Sequence, residues 1–112
     1  MSINSTIRAA VTPIVAVCVP DVYTGTATEY CTFNYTEYPE EFADDAPHAL
    51  KYSVQLHYFC PTGVNPDAKK TALKKALFEA DFTYPDVIPA SDNVSQHWVL
   101  ECEYLDGIGG AI

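Results

Sequence analysis

The stretch Lys51-Tyr52-Ser53-Val54-Gln55-Leu56-His57-Tyr58-Phe59-Cys60 decides the fold of this chain. Apolar and polar side chains alternate strictly over residues 51–58. Since successive side chains of a strand point to opposite sides of a sheet, the alternation predicts a half-buried β-strand with one wet face. Its apolar face consists of Tyr52, Val54, Leu56 and Tyr58. Pro61 ends the strand, because proline has no N–H to donate to a neighbouring strand.

Further strands are predicted on both sides of this one. Residues 29–37 and 96–104 alternate in the same way, with Cys31, Phe33 and Tyr35 on one apolar face and Trp98, Leu100, Cys102 and Tyr104 on the other. The apolar run 14–19 predicts a short buried strand, which Pro20 confines to a sheet edge or a strand end. A brief strand is expected around Val87.

Two segments have the apolar spacing of an amphipathic helix. The first begins after Ser2, a candidate N-cap, and Pro13 ends or bends it. The second runs from Pro66 to about Ala80, with Asn65 as candidate N-cap and an apolar stripe of Leu73, Ala76, Leu77 and Ala80. The order predicts one α+β domain over residues 1–112: a mainly antiparallel sheet of about four strands, two helices on one face, and a flexible tail from about residue 106.

Charge and composition exclude several classes of function. Fifteen acidic residues against six basic ones make the net charge −9, which disfavours sequence-independent binding of nucleic acid. An acidic protein can still line a path through which DNA slides without sticking. No apolar run approaches the length of a membrane span. The four cysteines are widely and irregularly spaced, and three lie inside predicted strands, so free buried thiols are favoured over disulfides.

No motif of the sequence predicts catalysis. A nucleophile elbow, a phosphate-binding loop and a metalloprotease helix are all missing, so no catalytic residue, cofactor or metal is expected. His57 and His97 lie on the polar faces of predicted strands and could be cross-strand neighbours. A third metal ligand at useful spacing is absent, so solvated or hydrogen-bonded histidines are favoured over a metal pair.

The candidate site is therefore an interaction surface with three parts. The first is a predicted long loop over residues 38–50. Its acidic side chains could be either simply solvated or in contact with a partner, and the aromatic residue among them favours contact. The second is the basic face of the second helix, where a solvated face is the simpler interpretation. The third is a pair of aromatics on the wet strand faces, whose simplest cover is a neighbouring subunit. The residues are Glu40, Glu41, Phe42, Asp44 and Asp45; Lys69, Lys70, Lys74 and Lys75; Tyr30 and Phe59.

The order of these segments resembles a known family. After the first helix come Pro20-Asp21-Val22-Tyr23-Thr24-Gly25, Glu29-Tyr30-Cys31-Thr32-Phe33-Asn34-Tyr35, the acidic Phe42-Ala43-Asp44-Asp45, the central strand, Lys74-Lys75-Ala76-Leu77-Phe78-Glu79-Ala80-Asp81-Phe82 and Glu101-Cys102-Glu103-Tyr104. Over nearly the full chain, this pattern is similar to the tail-completion proteins of long-tailed bacteriophages, the tail-terminator or tail-to-head joining family.

The resemblance implies a homo-oligomeric ring, usually hexameric, at the head-proximal end of the tail tube. Its partners would be the major tail-tube protein and the head-completion or connector protein, with DNA passing through unbound. It implies a virion protein assembled in the host cytoplasm, with no enzyme activity and no cofactor. Three alternatives stay open: another neck or minor capsid protein, a small-ligand-binding domain, and an enzyme.

Overall fold

Two helices and five strands form the part of the chain that the computed structural model describes, residues 2–43 and 46–107. For residues 41–43, 46–48 and 107 the description covers the backbone alone. The elements are α1 (Ile3–Val11), β1 (Cys18–Pro20), β2 (Tyr30–Ala43), β3 (Ala46–Pro61), α2 (Asp67–Glu79), β4 (Asp86–Pro89) and β5 (Ser95–Gly107).

The strands make one sheet in the order β1-β2-β3-β5-β4. The predicted α+β class is confirmed, but within the described residues the sheet has five strands rather than about four. It is mixed, because β1 pairs parallel to β2 while the other neighbours are antiparallel. The parallel pair arises because residues 21–29 return the chain to the end of the sheet where β1 began. Pro20 lies on an edge strand, as predicted.

The predicted strand over residues 14–19 is mostly a turn, and only Cys18–Pro20 pairs with the sheet. The N–H groups of Ile14 and Val15 both donate to the carbonyl of Val11, at 2.9 and 3.0 Å. These bonds continue from the end of α1, so the backbone is satisfied locally without a strand partner. Apolar content alone could not distinguish this partly buried turn from a strand.

The hydrophobic core lies between one face of the sheet and the two helices. Tyr52, Val54, Leu56 and Tyr58 are all at most 7% exposed, which confirms the predicted face of β3. The register places Leu56 between Phe33 of β2 and Leu100 of β5. The helices cover this face with Ile3, Ile7 and Val11 of α1 and Leu73 and Leu77 of α2. Burying a side chain of this size contributes roughly 1.5–3 kcal/mol.

The helix starts follow the predicted capping residues with one shift. Ser2 Oγ accepts the N–H of Ser5 at 3.2 Å, which confirms it as the N-cap of α1. In α2 the N-cap position is Pro66 rather than Asn65, although the side chain of Asn65 still accepts the N–H of Asp67 at 3.0 Å. The asparagine oxygen thus satisfies an unpaired donor of the first turn from one position further out.

The predicted loop over residues 38–50 is wrong, because β2 and β3 continue through it as a hairpin. The N–H of Cys31 and the carbonyl of Phe33 point towards the β1 side. The odd-numbered residues of β2 therefore direct their N–H and C=O groups away from β3. Pro39 is one of these residues, so its missing N–H removes no hydrogen bond between β2 and β3. We call residues 37–43 and 46–50 the hairpin arm. Asp44 and Asp45 lie outside the described residues.

The long strands make the molecule elongated. Sixteen residues of β3, at about 3.3 Å each, span roughly 53 Å, and the longest dimension of the protein is 54 Å. β5 also runs further than the predicted strand over residues 96–104, because Asp106 and Gly107 pair with Leu50 and Ala49. The rest of the predicted flexible tail, residues 108–112, lies outside the described residues. Among the described residues, no helix has the length and apolarity needed to cross a membrane.

Candidate functional site

Two of the four α2 lysines are already engaged within the chain. Lys69 Nζ lies 2.6 Å from the carboxylate of Glu29, which also accepts the hydroxyl of Tyr58 at 2.8 Å. Burial raises the pKa of Glu29, but the bonds from Lys69 and Tyr58 outweigh it, so the pKa lies below its ordinary value. This contact ties α2 to the start of β2 and to β3, so Lys69 has a structural role.

Lys70 is held in a similar way. Its ammonium lies 3.6 Å from the ring centroid of Trp98 and 3.5 Å from a carboxylate oxygen of Asp67. A cation over an indole face is attracted by the electron density of the ring, most strongly where water is excluded. Lys70 therefore covers the edge of the core at Trp98, and its charge is not free for a partner.

Lys74 and Lys75 lie beside an exposed aromatic pair. Phe78 and Tyr84 are each 55% exposed, and their rings meet edge to face with centroids 5.7 Å apart. Lys74 Nζ is 6.0 Å from the centroid of Tyr84, and within the described residues neither lysine makes an ion pair. We call Lys74, Lys75, Phe78 and Tyr84 the α2 patch. Exposed aromatics rimmed by charge are typical of protein-binding surfaces.

An acidic groove of about 320 Å³ lies beside the end of β5. Its lining carries three carboxylates against one ammonium, and includes an apolar side chain, Leu105, that is 48% exposed. Lys51 Nζ lies 3.4 Å from Glu40 and 3.7 Å from Glu103, and these carboxylates raise its pKa. The lining residues are Glu40, Lys51, Asp81, Thr83, Glu103, Tyr104 and Leu105.

The structure does not place the predicted acidic residues together in one site. Glu40 belongs to the acidic groove, where it pairs with Lys51. Glu41 and Phe42 have their backbones in β2, with side chains outside the description, and Asp44 and Asp45 lie outside the described residues altogether. The structure thus brings one predicted acid together with Asp81 and Glu103, which the sequence had not marked.

Tyr30 and Phe59 stack on each other on the face of the sheet opposite the helices. Their ring centroids are 4.7 Å apart, and the row continues with Tyr23 at 4.6 Å from Tyr30 and His97 at 4.2 Å from Phe59. Both rings are half-buried within the chain. Their partial burial therefore needs no second subunit, which removes the reason for which they were assigned to an interface.

His57 and His97 are neighbours, as the strand pattern predicted. His57 Nδ1 and His97 Nε2 are 2.8 Å apart, and His57 Nε2 lies 3.0 Å from the side-chain oxygen of Asn34. Burial lowers the pKa of both rings, and the charge of His97 lowers that of His57 further. Within the described residues, no group of three histidine, cysteine or acidic side chains could hold a metal ion.

All four cysteines are buried and unpaired. Burial raises the pKa of Cys18 to about 11 and that of Cys102 to about 12, and it also raises the pKa of Cys31 and Cys60. A buried thiol with a raised pKa is a poor nucleophile, because the reactive form is the thiolate. The cysteines therefore belong to the core.

A groove of about 670 Å³ lies between the two helices and the end of β5. Alanine side chains line its walls, and Glu79, Asp81 and Asp106 place carboxylates around it. The hydroxyl groups of Thr6 and Tyr104 are the other polar side-chain groups in the described lining.

Like Asp81 and Glu103 of the acidic groove, Phe78 and Tyr84 of the α2 patch are site residues that sequence reasoning missed. A signal existed for Phe78: it falls outside the apolar stripe of α2 and is three and four residues from Lys75 and Lys74, so the three side chains share a face. No comparable signal marked Tyr84, whose contact with Phe78 depends on the turn after α2. No family model and no curated protein matches this chain, so the site rests on the geometry described above.

Proposed function

We propose that this protein is a structural virion component that forms a ring at the head-proximal end of a phage tail tube, ending tail assembly and joining tail to head. The observation that carries the proposal is the hairpin arm. Ala49 and Leu50 are still buried or packed against the core at the base of the arm, whereas on β2 Tyr38 is 45% exposed, with Glu37 and Pro39 also exposed.

A projecting arm of this kind favours assembly over catalysis. Along β2 the pairing with β1 ends at Phe33, so from Asn34 to Ala43 the outer edge has no strand beside it in the described sheet. A long unpaired edge is usually blunted or used for contact. Pro39 and the acids blunt it, and Tyr38 supplies an aromatic anchor, a combination that suits a regulated contact with another subunit.

The charge fits a passage for DNA. With a net charge of −9, a ring of these subunits would offer phosphate few cations and would let DNA pass without specific binding. In the described residues, Lys69 and Lys70 are occupied by intrachain contacts, which reduces the cationic surface further. The proposed partners are further copies of this chain, the major tail-tube protein and the head-completion or connector protein.

Electron microscopy tests the proposal directly. Purified protein would be mixed with tail tubes of the virus that encodes it, and negative-stain images would be classified by the structure at each tube end. We expect rings, usually of six copies, at one end of the tubes only. Binding to isolated heads instead would favour the alternative of another neck protein, and protein that leaves both tube ends bare would overturn the function.

A further inference from the structure

We infer that copies of this chain join through unlike surfaces, with the α2 patch of one copy seated on the acidic groove of the next. The inference rests on the proposed ring and names the contact that would build it. A ring needs two different complementary surfaces on each subunit.

Charge complementarity identifies the occupant of the α2 patch. Lys74 and Lys75 are the α2 lysines without an ion pair among the described residues, and they flank Phe78 on the helix face turned away from Leu73 and Leu77. A partner for this surface must supply carboxylates and an apolar contact. Most of the surface charge of the chain is acidic, so a second copy can supply both.

The acidic groove has that chemistry. Glu40, Asp81 and Glu103 surround a single lysine, Lys51, leaving an excess of two negative charges in the lining. Leu105 is 48% exposed at the groove, and Tyr38 lies next to Lys51 at 6.0 Å from its ammonium to the ring centroid. The groove therefore offers carboxylates for Lys74 and Lys75 and an apolar rim for the ring of Phe78.

The aromatic ring should contribute more to affinity than the lysines. Exposed ion pairs are worth roughly 0–1 kcal/mol each, whereas a central aromatic anchor often dominates an interface. Phe78→Ala should therefore weaken self-association at least about tenfold. Val94→Ala is the matched control, since Val94 is an apolar side chain that is 80% exposed and lies outside both surfaces.

Charge reversal provides the decisive experiment. Lys75→Glu reverses a charge of the α2 patch and leaves the groove intact. Glu40→Lys reverses a charge of the groove; it is chosen over Glu103→Lys because Glu103 lines a pocket together with Tyr84 of the α2 patch. Each variant alone should sediment as a monomer where the parent chain forms rings, because like charges then face each other. A one-to-one mixture should assemble again, since every contact in an alternating ring pairs Lys with Glu. Arg8→Glu, an exposed reversal on α1, is the control for net charge.

The result is read by analytical ultracentrifugation at several salt concentrations. Rings of the parent chain, monomers of each single variant and assembly of the mixture are the outcomes we expect. A parent chain that stays monomeric, an assembly that stops at two copies, or a mixture that fails to assemble would each overturn the contact. Capping of tail tubes is measured separately. Rings that do not bind tail tubes would contradict the proposed function but not the contact. A Phe78→Ala variant that assembles and caps tubes like the parent chain would contradict the contact but not the proposed function.

Discussion

Replacing Leu56 and Leu105 by alanine, one at a time, tests the assigned faces of the sheet with the same chemical change. Leu56 is fully buried in the centre of β3, whereas Leu105 is 48% exposed near the end of β5. Both residues are leucines in strands, so the difference in β-propensity between leucine and alanine is the same at both positions and cancels when the two variants are compared. What remains is the burial of the isopropyl group that alanine lacks.

The expected magnitudes follow from that burial. At about 0.8 kcal/mol for each buried carbon, Leu56→Ala loses roughly 2.4 kcal/mol of transfer free energy. The cavity left between Phe33 and Leu100 adds to the loss, which brings it into the usual range of about 2–5 kcal/mol. Leu105→Ala loses at most about half of the transfer part and leaves no closed cavity, so we expect roughly 1 kcal/mol or less.

Urea unfolding followed by tryptophan fluorescence measures both values, because Trp98 packs against the core. Equal slopes against urea for the two variants would show that the unfolded states are comparable. A thermal scan should place the Leu56→Ala midpoint roughly 8–20 °C below that of the parent chain, at about 4 °C per kcal/mol. If the two substitutions differ by less than about 1 kcal/mol, the register of β3 described above is wrong.

Three further outcomes follow from the buried polar groups. The four buried cysteines should react slowly with a thiol reagent in the folded protein, and unfolding without reductant should release all of them at once; fewer than four would reveal a disulfide. Burial lowers the pKa of His57 and His97 below the ordinary 6.5, so the unfolded state binds protons first and the free energy of unfolding should fall as the pH drops through 6.5. His57→Gln should flatten that slope in a pH series of urea titrations, and an unchanged slope would contradict the assignment. Tyr58→Phe removes a donor to Glu29 and should cost about 1–2 kcal/mol at neutral pH. The cost should shrink in acid, because Glu29 has a lowered pKa and its stabilisation is lost as it is protonated; a pH-independent loss would show that the hydroxyl acts through packing alone.

The hairpin arm shows where local reasoning fails. Pro39, Pro47 and the acids have low strand propensity, and these residues predicted a loop. Pairing of β2 with β3 overrides that propensity, because Pro39 faces the outer edge, where no ladder bond is required. Whether the odd- or the even-numbered residues of β2 direct their N–H and C=O groups away from β3 depends on how the strands pair, so the identity of the residues could not reveal it.

The sequence by itself determined the elements whose evidence is periodic: the apolar face of β3, the stripes of both helices, the Ser2 cap and the buried state of the cysteines. Periodicity reports on which side of an element is apolar, and that side must be buried wherever the element packs. Only the tertiary structure decided which charged side chains are free. Lys69 contacts Glu29, forty residues away in the chain, and Lys70 contacts Trp98, twenty-eight residues away. Lys74 and Lys75 lie instead beside the exposed pair of Phe78 and Tyr84. All four lysines look alike in sequence, and their different fates depend on contacts that exist only after the strands have paired.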